Sequence, residues 1–219
     1  MLDGGQVCNA AESVYLQRGI ADRLAERVTR LMAETRCGNP LTDADLHLGP
    51  INNQGGCDKI SALVSWSAGQ LADRPGFHHE PTVLVDRTDP MDGMSQEIVG
   101  PVLPIRVVDD LDEALALAND AEFGLTSLVF TQNLNAAMKA ARGLRFGETY
   151  VNREYFEAMP GSHAGRRKSG IGGEALRQHR HIAGAEPRRH QPQHQPRGGE
   201  AVRRCTGRDD RPARAQHLG

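Results

Sequence analysis

Apolar positions along most of this chain alternate between strand-like and helix-like spacing, and late in the chain they lose both. Ser13-Val14-Tyr15-Leu16-Gln17 is a short β-branched and aromatic run that predicts a strand. Ile20, Leu24, Val28, Leu31 and Met32 then recur at helical spacing with charges between them, predicting a helix through about Arg36 that Gly38-Asn39-Pro40 stops. Leu41 to Gly56 is a polar connection punctuated by Gly and Pro. A second helix is expected from Asp58 to about Ala68, turned inward on Ile60, Leu63 and Val64. After a loop from Gly69 to His79, Pro81 to Asp86 reads as a buried strand, and Val102 to Val108 as another. Asp110 is a good N-cap, followed by Asp112 and Glu113 in the first turn and by Ala114, Leu115 and Leu117. Asn119 and Gly124 end that helix. Leu125 to Thr131 predicts a strand, Asn133-Leu134-Asn135 opens a helix to about Arg142, and Glu148 to Asn152 predicts a further strand.

Helices alternating with short apolar strands imply an α/β fold with a mostly parallel sheet and flanking helices. In such a sheet ligands gather beyond the carboxyl ends of the strands, which directs attention to the stretch from Asn152 onward. Beyond Glu174 the pattern dissolves into His, Arg, Gln, Pro and Gly. Such a segment buries too little apolar surface to offset its chain entropy, so residues 174–219 are expected to be a basic, disordered tail behind a domain of residues 1–173.

Composition changes this picture in one respect. The 219 residues carry 26 basic and 28 acidic side chains, a near balance that gives no global case for nucleic-acid or membrane binding. The balance is uneven along the chain. From Glu174 onward there are ten arginines, five acidic residues, no lysine and no aromatic, which leaves residues 1–173 net acidic. Without aromatics to stack on bases, the tail is expected to be solvated rather than bound to nucleic acid. No apolar run approaches the length of a membrane span and no charged-then-apolar leader precedes the first motif, so a cytoplasmic protein is expected. Cys8, Cys37, Cys57 and Cys205 are scattered, with no close pair to suggest zinc ligands or a redox dithiol, and reduced thiols follow from that setting.

The candidate chemistry begins at Gly4-Gly5-Gln6-Val7-Cys8-Asn9-Ala10-Ala11-Glu12. A cysteine in a glycine-rich turn ahead of a strand and a helix can seat a reactive thiol. Taken alone it reads better as an ordinary buried cysteine near a fraying terminus.

Context favours the thiol. Gly5-Gln6-Val7-Cys8, Leu48-Gly49-Pro50-Ile51-Asn52, Gln96-Glu97-Ile98-Val99-Gly100-Pro101-Val102, Ala118-Asn119 with Phe123-Gly124-Leu125-Thr126, Tyr150-Val151-Asn152 and Lys168-Ser169-Gly170-Ile171-Gly172 occur in the order they take in the carboxyl-terminal catalytic part of aldehyde dehydrogenases. Residues 3–174 resemble that family, and within it the bacterial lactaldehyde/glycolaldehyde dehydrogenases. The narrower likeness lies in Gly124-Leu125-Thr126-Ser127, Thr131-Gln132-Asn133-Leu134-Asn135, Gly147-Glu148-Thr149-Tyr150, Phe156-Glu157-Ala158-Met159 and His163 to Gly170.

The resemblance implies that Cys8 is the nucleophile, adding as thiolate to an aldehyde to give a thiohemiacetal and then a thioester, with its own backbone N–H helping to hold the oxyanion. It implies that Glu97 hydrogen-bonds the nicotinamide ribose of NAD, with NADP an open alternative. Glu157 and His163 would contact the hydroxyl of a small hydroxyaldehyde, a pairing that discriminates against substrates lacking that group. It implies no metal. It also marks departures. No Gly-rich strand-to-helix turn and no Glu-Leu-Gly-Gly sequence occurs in these 219 residues, so the amino-terminal cofactor half and the general base are expected to be missing. Asp3 stands where the family usually has asparagine, and Val99 where an aromatic would meet the nicotinamide. The family's terminal assembly strand is replaced by the Arg/Pro/His/Gln stretch, which resembles a read-through in another frame; the neighbouring frames of the gene test that hypothesis. Family members assemble as homo-oligomers. Three readings follow: an NAD-dependent dehydrogenase acting on lactaldehyde or glycolaldehyde whose chain is inactive alone, a residual cysteine esterase, and an inactive remnant or binding partner of an intact paralogue.

Overall fold

The computed structural model describes residues 2–64, 76–85, 94, 96–154, 164–171 and 205–206. Strand β1 (Val14–Gln17) runs straight into helix α1 (Arg18–Ala33), and α2 (Gln54–Val64) follows the polar connection. Next come β2 (Thr82–Val85), β3 (Val102–Val108), α3 (Leu111–Asp120), β4 (Phe123–Gly124), β5 (Thr126–Val129), α4 (Leu134–Gly143), β6 (Glu148–Val151), β7 (Arg166–Arg167) and β8 (Cys205–Thr206).

The main sheet has the order β1-β3-β2-β8, with every pairing parallel. Its strands face two layers. Val83, Val85 and Ile105 meet Leu16 and, from α1, Ala21, Ala25 and Met32. Leu84 and Val102 meet Cys57, Ile60 and Val64 of α2, with Ile51 and Ile98. The alternation along Val83-Leu84-Val85 is the two-residue period of a strand covered on both sides, so all four β2 residues are buried. Pro104 lies inside β3 one position before the register with β1 begins at Val14 and Ile105, so its missing N–H falls where β1 has not yet started.

A second parallel pair, β5 and β6, is joined by α4 as a compact strand–helix–strand unit. The Asn133 side chain caps α4 by accepting from the N–H groups of Asn135 and Ala136. Asp110 caps α3 by accepting from Glu113 N–H, while the Glu113 carboxylate accepts from Asp109 N–H in return.

The α/β class with parallel strands and flanking helices agrees with the sequence, and so do the strands at β1, β2, β3, β5 and β6. Three details differ. Helix α2 starts at Gln54, four residues before the expected Asp58. Asn53 accepts from Gly56 N–H at 2.9 Å, a cap that lets the helix run through Gly55-Gly56. Two-residue β7 pairs antiparallel with β4, and nothing in the apolar pattern marks it. Cys205–Thr206, inside the stretch expected to lack regular structure, pairs with Leu84 and Val85.

Two consequences can be measured. Ile60 is fully buried under β2 and β3, so Ile60→Ala is expected to lower unfolding free energy by about 2–5 kcal/mol in denaturant titrations. His79, 3% exposed, has its pKa lowered from 6.5, chiefly by burial, with the hydrogen bond to Glu80 C=O and the Glu80 charge opposing. The unfolded chain therefore takes up the proton first. Stability held above the ordinary value is lost as pH falls toward the folded one. His79→Gln is expected to flatten the fall in thermal midpoint between about pH 7 and pH 5; an unchanged slope would remove His79 as its source.

Candidate active site

The stretch ahead of β1 is built from tight turns. Asp3, Gly4 and Gly5 all have positive φ, of 46°, 63° and 81°. Gln6 N–H donates to Asp3 C=O, and Ala10 N–H donates to Val7 C=O at 2.8 Å, placing Cys8 and Asn9 at the corner of a four-residue turn. Cys8 is an exposed, free thiol at that corner, while Cys57 is buried and Cys37 half-buried. The Cys8 N–H makes no hydrogen bond among the described residues, which leaves a donor beside the sulfur.

Two other motifs converge on this turn. The Gln6 amide donates to Pro50 C=O at 3.2 Å and accepts from Asn52 N–H at 2.8 Å, joining it to Leu48–Asn52. Ile51 N–H donates to Phe77 C=O, tying that segment to the approach to β2. On the other side, a Cβ on Gly5 would stand 2.2 Å from Gly100 O, so the turn lies directly on the segment containing Glu97. Glu12 reaches the same segment: its Oε1 accepts from Ile98 N–H at 3.0 Å and Val99 N–H at 2.9 Å. Burial pushes the Glu12 carboxyl above the usual carboxylate range. The two N–H bonds and Lys59 act against that rise, and the Glu97 charge adds to it.

Glu97 itself is exposed and makes no hydrogen bond among the described residues. It lines an open cleft of about 590 Å³ with Lys59, Gln96, Glu122 and Phe123. Glu97 thus presents an exposed carboxylate at an open cleft. Cys8 does not line this cleft.

Elsewhere the motif residues prove to be braces. Asn152 (φ 54°), at the carboxyl end of β6, accepts from Thr131 N–H and donates to Thr131 C=O, locking the ends of β5 and β6. Asn119 donates to Gly143 C=O and accepts from Arg145 N–H, joining α3 to the end of α4. Arg167 donates to the carbonyls of Asn119 and Ala121, and Ser169 Oγ accepts from Gly124 N–H. Glu157 and His163 lie outside the described residues. Among the described residues no group of three or more His, Cys, Asp or Glu side chains could hold a metal, and no helix is long and apolar enough to cross a membrane.

Sequence reading did not single out Glu12, Gln6 as a brace, or Lys59. Gln6 falls inside the Gly5-Gln6-Val7-Cys8 motif, whereas neither motif nor period marks Glu12 or Lys59.

Gly5 and Gly19 supply a matched test. Gly5→Ala meets both the Gly100 carbonyl and a left-handed backbone, and is expected to cost more than about 2 kcal/mol and to alter the alkylation rate of Cys8. Gly19→Ala, in α1 with nothing within 4 Å, is expected to stabilise by about 0.5–1 kcal/mol. Urea titration of both variants checks the pair.

Comparison with known proteins places this arrangement. The model of the aldehyde dehydrogenase family matches residues 1–182. Lactaldehyde dehydrogenase of Escherichia coli K12 is 44% identical over 182 residues, covering 79% of this chain and 38% of that protein. A crystal structure of lactaldehyde dehydrogenase from Escherichia coli superposes with a TM-score of 0.73 at 46% identity, over 78% of this chain and 38% of the other. Betaine aldehyde dehydrogenase from Staphylococcus aureus in complex with NAD+ superposes with a TM-score of 0.69 at 27% identity, over 77% and 36%. The chain thus spans well under half the length of these relatives. A thiol turn, a Pro-Ile-Asn segment and a glutamate loop meeting in one place, in a chain matched over residues 1–182, make this protein a member of the aldehyde dehydrogenase family.

Proposed function

We propose that this chain supplies the nucleophile and the hydroxyaldehyde-contacting groups for oxidation of a small hydroxyaldehyde, such as lactaldehyde or glycolaldehyde, to its acid. The observation that carries the reading is the exposed Cys8 thiol, fixed at a turn corner beside its own unbonded N–H, in a turn whose Gly5 abuts Gly100 at the end of the Glu97 loop. The 44% identity to a lactaldehyde dehydrogenase supports the substrate class. Glu157 and His163 are its proposed contacts, a carboxylate and an imidazole that both pair with a substrate hydroxyl.

The chemistry proceeds from the thiol. The Cys8 thiolate adds to the carbonyl carbon, the carbonyl π electrons move to oxygen, and Cys8 N–H donates to the resulting oxyanion. NAD, with NADP an alternative, would supply the hydride acceptor for that carbon. Glu97 would hold the ribose diol and Lys59 lines the same cleft. The thioester left on Cys8 is then cleaved by water, releasing the acid and restoring the thiol. No Glu-Leu-Gly-Gly sequence is present to activate that water and no Gly-rich dinucleotide turn to seat the cofactor, so we assign both functions to groups outside these 219 residues. Assembly into oligomers and a cytoplasmic location belong to the same reading.

The exposed thiol also favours a narrower activity, slow Cys8-dependent hydrolysis of activated esters, which needs neither cofactor nor hydride transfer.

Three assays decide among these. The purified chain with glycolaldehyde and NAD is expected to form no NADH; NADH formation by the chain alone would show that it is self-sufficient. Mixing it with the part of Escherichia coli lactaldehyde dehydrogenase that precedes the matched region is expected to give NADH formation that Cys8→Ser abolishes. Hydrolysis of p-nitrophenyl acetate is expected to fall to background in Cys8→Ala, and its persistence would remove the esterase reading.

A further inference from the structure

We propose that Glu12 is a positioning residue for Glu97: one carboxylate oxygen takes both N–H groups that follow Glu97 and holds that loop against the nucleophile turn. The inference rests on the roles proposed above for Cys8 and Glu97. It concerns a residue to which those roles assign nothing.

The geometry is specific. Glu12 lies four residues beyond Cys8, where the chain leaves the turn to enter β1, and is half-buried. Its Oε1 accepts from Ile98 at 3.0 Å and from Val99 at 2.9 Å, across sequence separations of 86 and 87 residues. Ile98 is 2% exposed, its side chain packed with Ile51, Ile60 and Leu84. Val99 has φ 55°, a left-handed conformation that a β-branched residue adopts only when its surroundings hold it. On its far side Gly100 meets Gly5 and Ile60 so closely that a Cβ on Gly100 would lie 2.3 Å from Ile60 Cδ1. The loop is therefore pinned by the Ile98 side chain, by Gly100 and, between them, by Glu12. Of these three only Glu12 is polar, and among the described residues it is the group that holds the amide next to Glu97, while Ser13 Oγ donates to Met94 C=O at 3.3 Å ahead of it.

Reach matters here more than charge. Glutamine keeps an oxygen at the same distance from the backbone. Aspartate keeps the charge and withdraws the oxygen by one methylene. Glutamine is therefore expected to serve and aspartate to fail, an order that a purely electrostatic role would reverse. The turn has its own supports in Gln6 and Gly5, so Cys8 is expected to keep its exposure in every variant.

Backbone hydrogen exchange of the full chain, resolved at Ile98 and Val99, tests this without turnover. Glu12→Gln is expected to exchange at these two amides within about twofold of the parent. Glu12→Asp and Glu12→Ala are expected to exchange at least about tenfold faster there, with the amides of Ile105 to Val108 unchanged. The alkylation rate of Cys8 is expected to stay within about twofold in all variants. If Glu12→Ala does not fold, the Gln and Asp variants carry the comparison. Equal exchange in Gln and Asp, or acceleration spread evenly into Ile105 to Val108, would overturn the proposal. Failure of the aldehyde reading is seen separately, as absent or Cys8-independent chemistry in the mixing assay with this exchange pattern intact.

Discussion

Gly5 has no Cβ, and the carbonyl oxygen of Gly100 occupies the space where one would stand. That contact makes two distant pieces of sequence a single surface, with the thiol turn on one side and the Glu97 loop on the other. Gly100 in turn leaves room for Ile60, so the same stack continues from the turn through the loop into α2 and the buried face of β2 and β3. Two glycines are used here for closeness rather than for flexibility. The sheet contributes indirectly: covered on both faces, it fixes α2, and α2 fixes the floor on which the loop rests.

Much of this architecture can be read from the chain because the causes are local. The alternating run at β2, the helical period of α1 and the cap at Asp110 each act within a few residues, and each element appears where its pattern predicts. Helix α2 was harder, since Gly55-Gly56 argues against a helix until the Asn53 cap and the packing of Ile51 on Gly56 are seen. Strand β7 has two residues and no period at all. The thiol and Glu97 were legible only as parts of motifs. Glu12 was legible as neither motif nor period, because its partners lie more than eighty positions away.

Asn152 shows how placement and role can separate. A position just past the carboxyl end of a parallel strand is where ligands gather in such folds, and Asn152 occupies one. Its amide is nonetheless spent on both backbone polar groups of Thr131, closing β5 onto β6. Asn119 and Arg167 act in the same way at the ends of α3 and α4. These side chains give the motif its regularity by satisfying backbone groups where helices and strands end, a demand as strict as any made by chemistry.

The two sides of the site are consequently held by different physics. Cys8 is presented by backbone turns and glycine contacts. Glu97 stands beside a half-buried carboxylate whose charge is opposed by burial and by Glu97 itself, and favoured by Lys59. Placing one carboxylate behind another is unfavourable unless something offsets it, and here the offset is two backbone N–H groups and a lysine that lines the same cleft. The two N–H groups act directly on the Glu12 oxygen, whereas Glu97 and Lys59 act on it through space and more weakly.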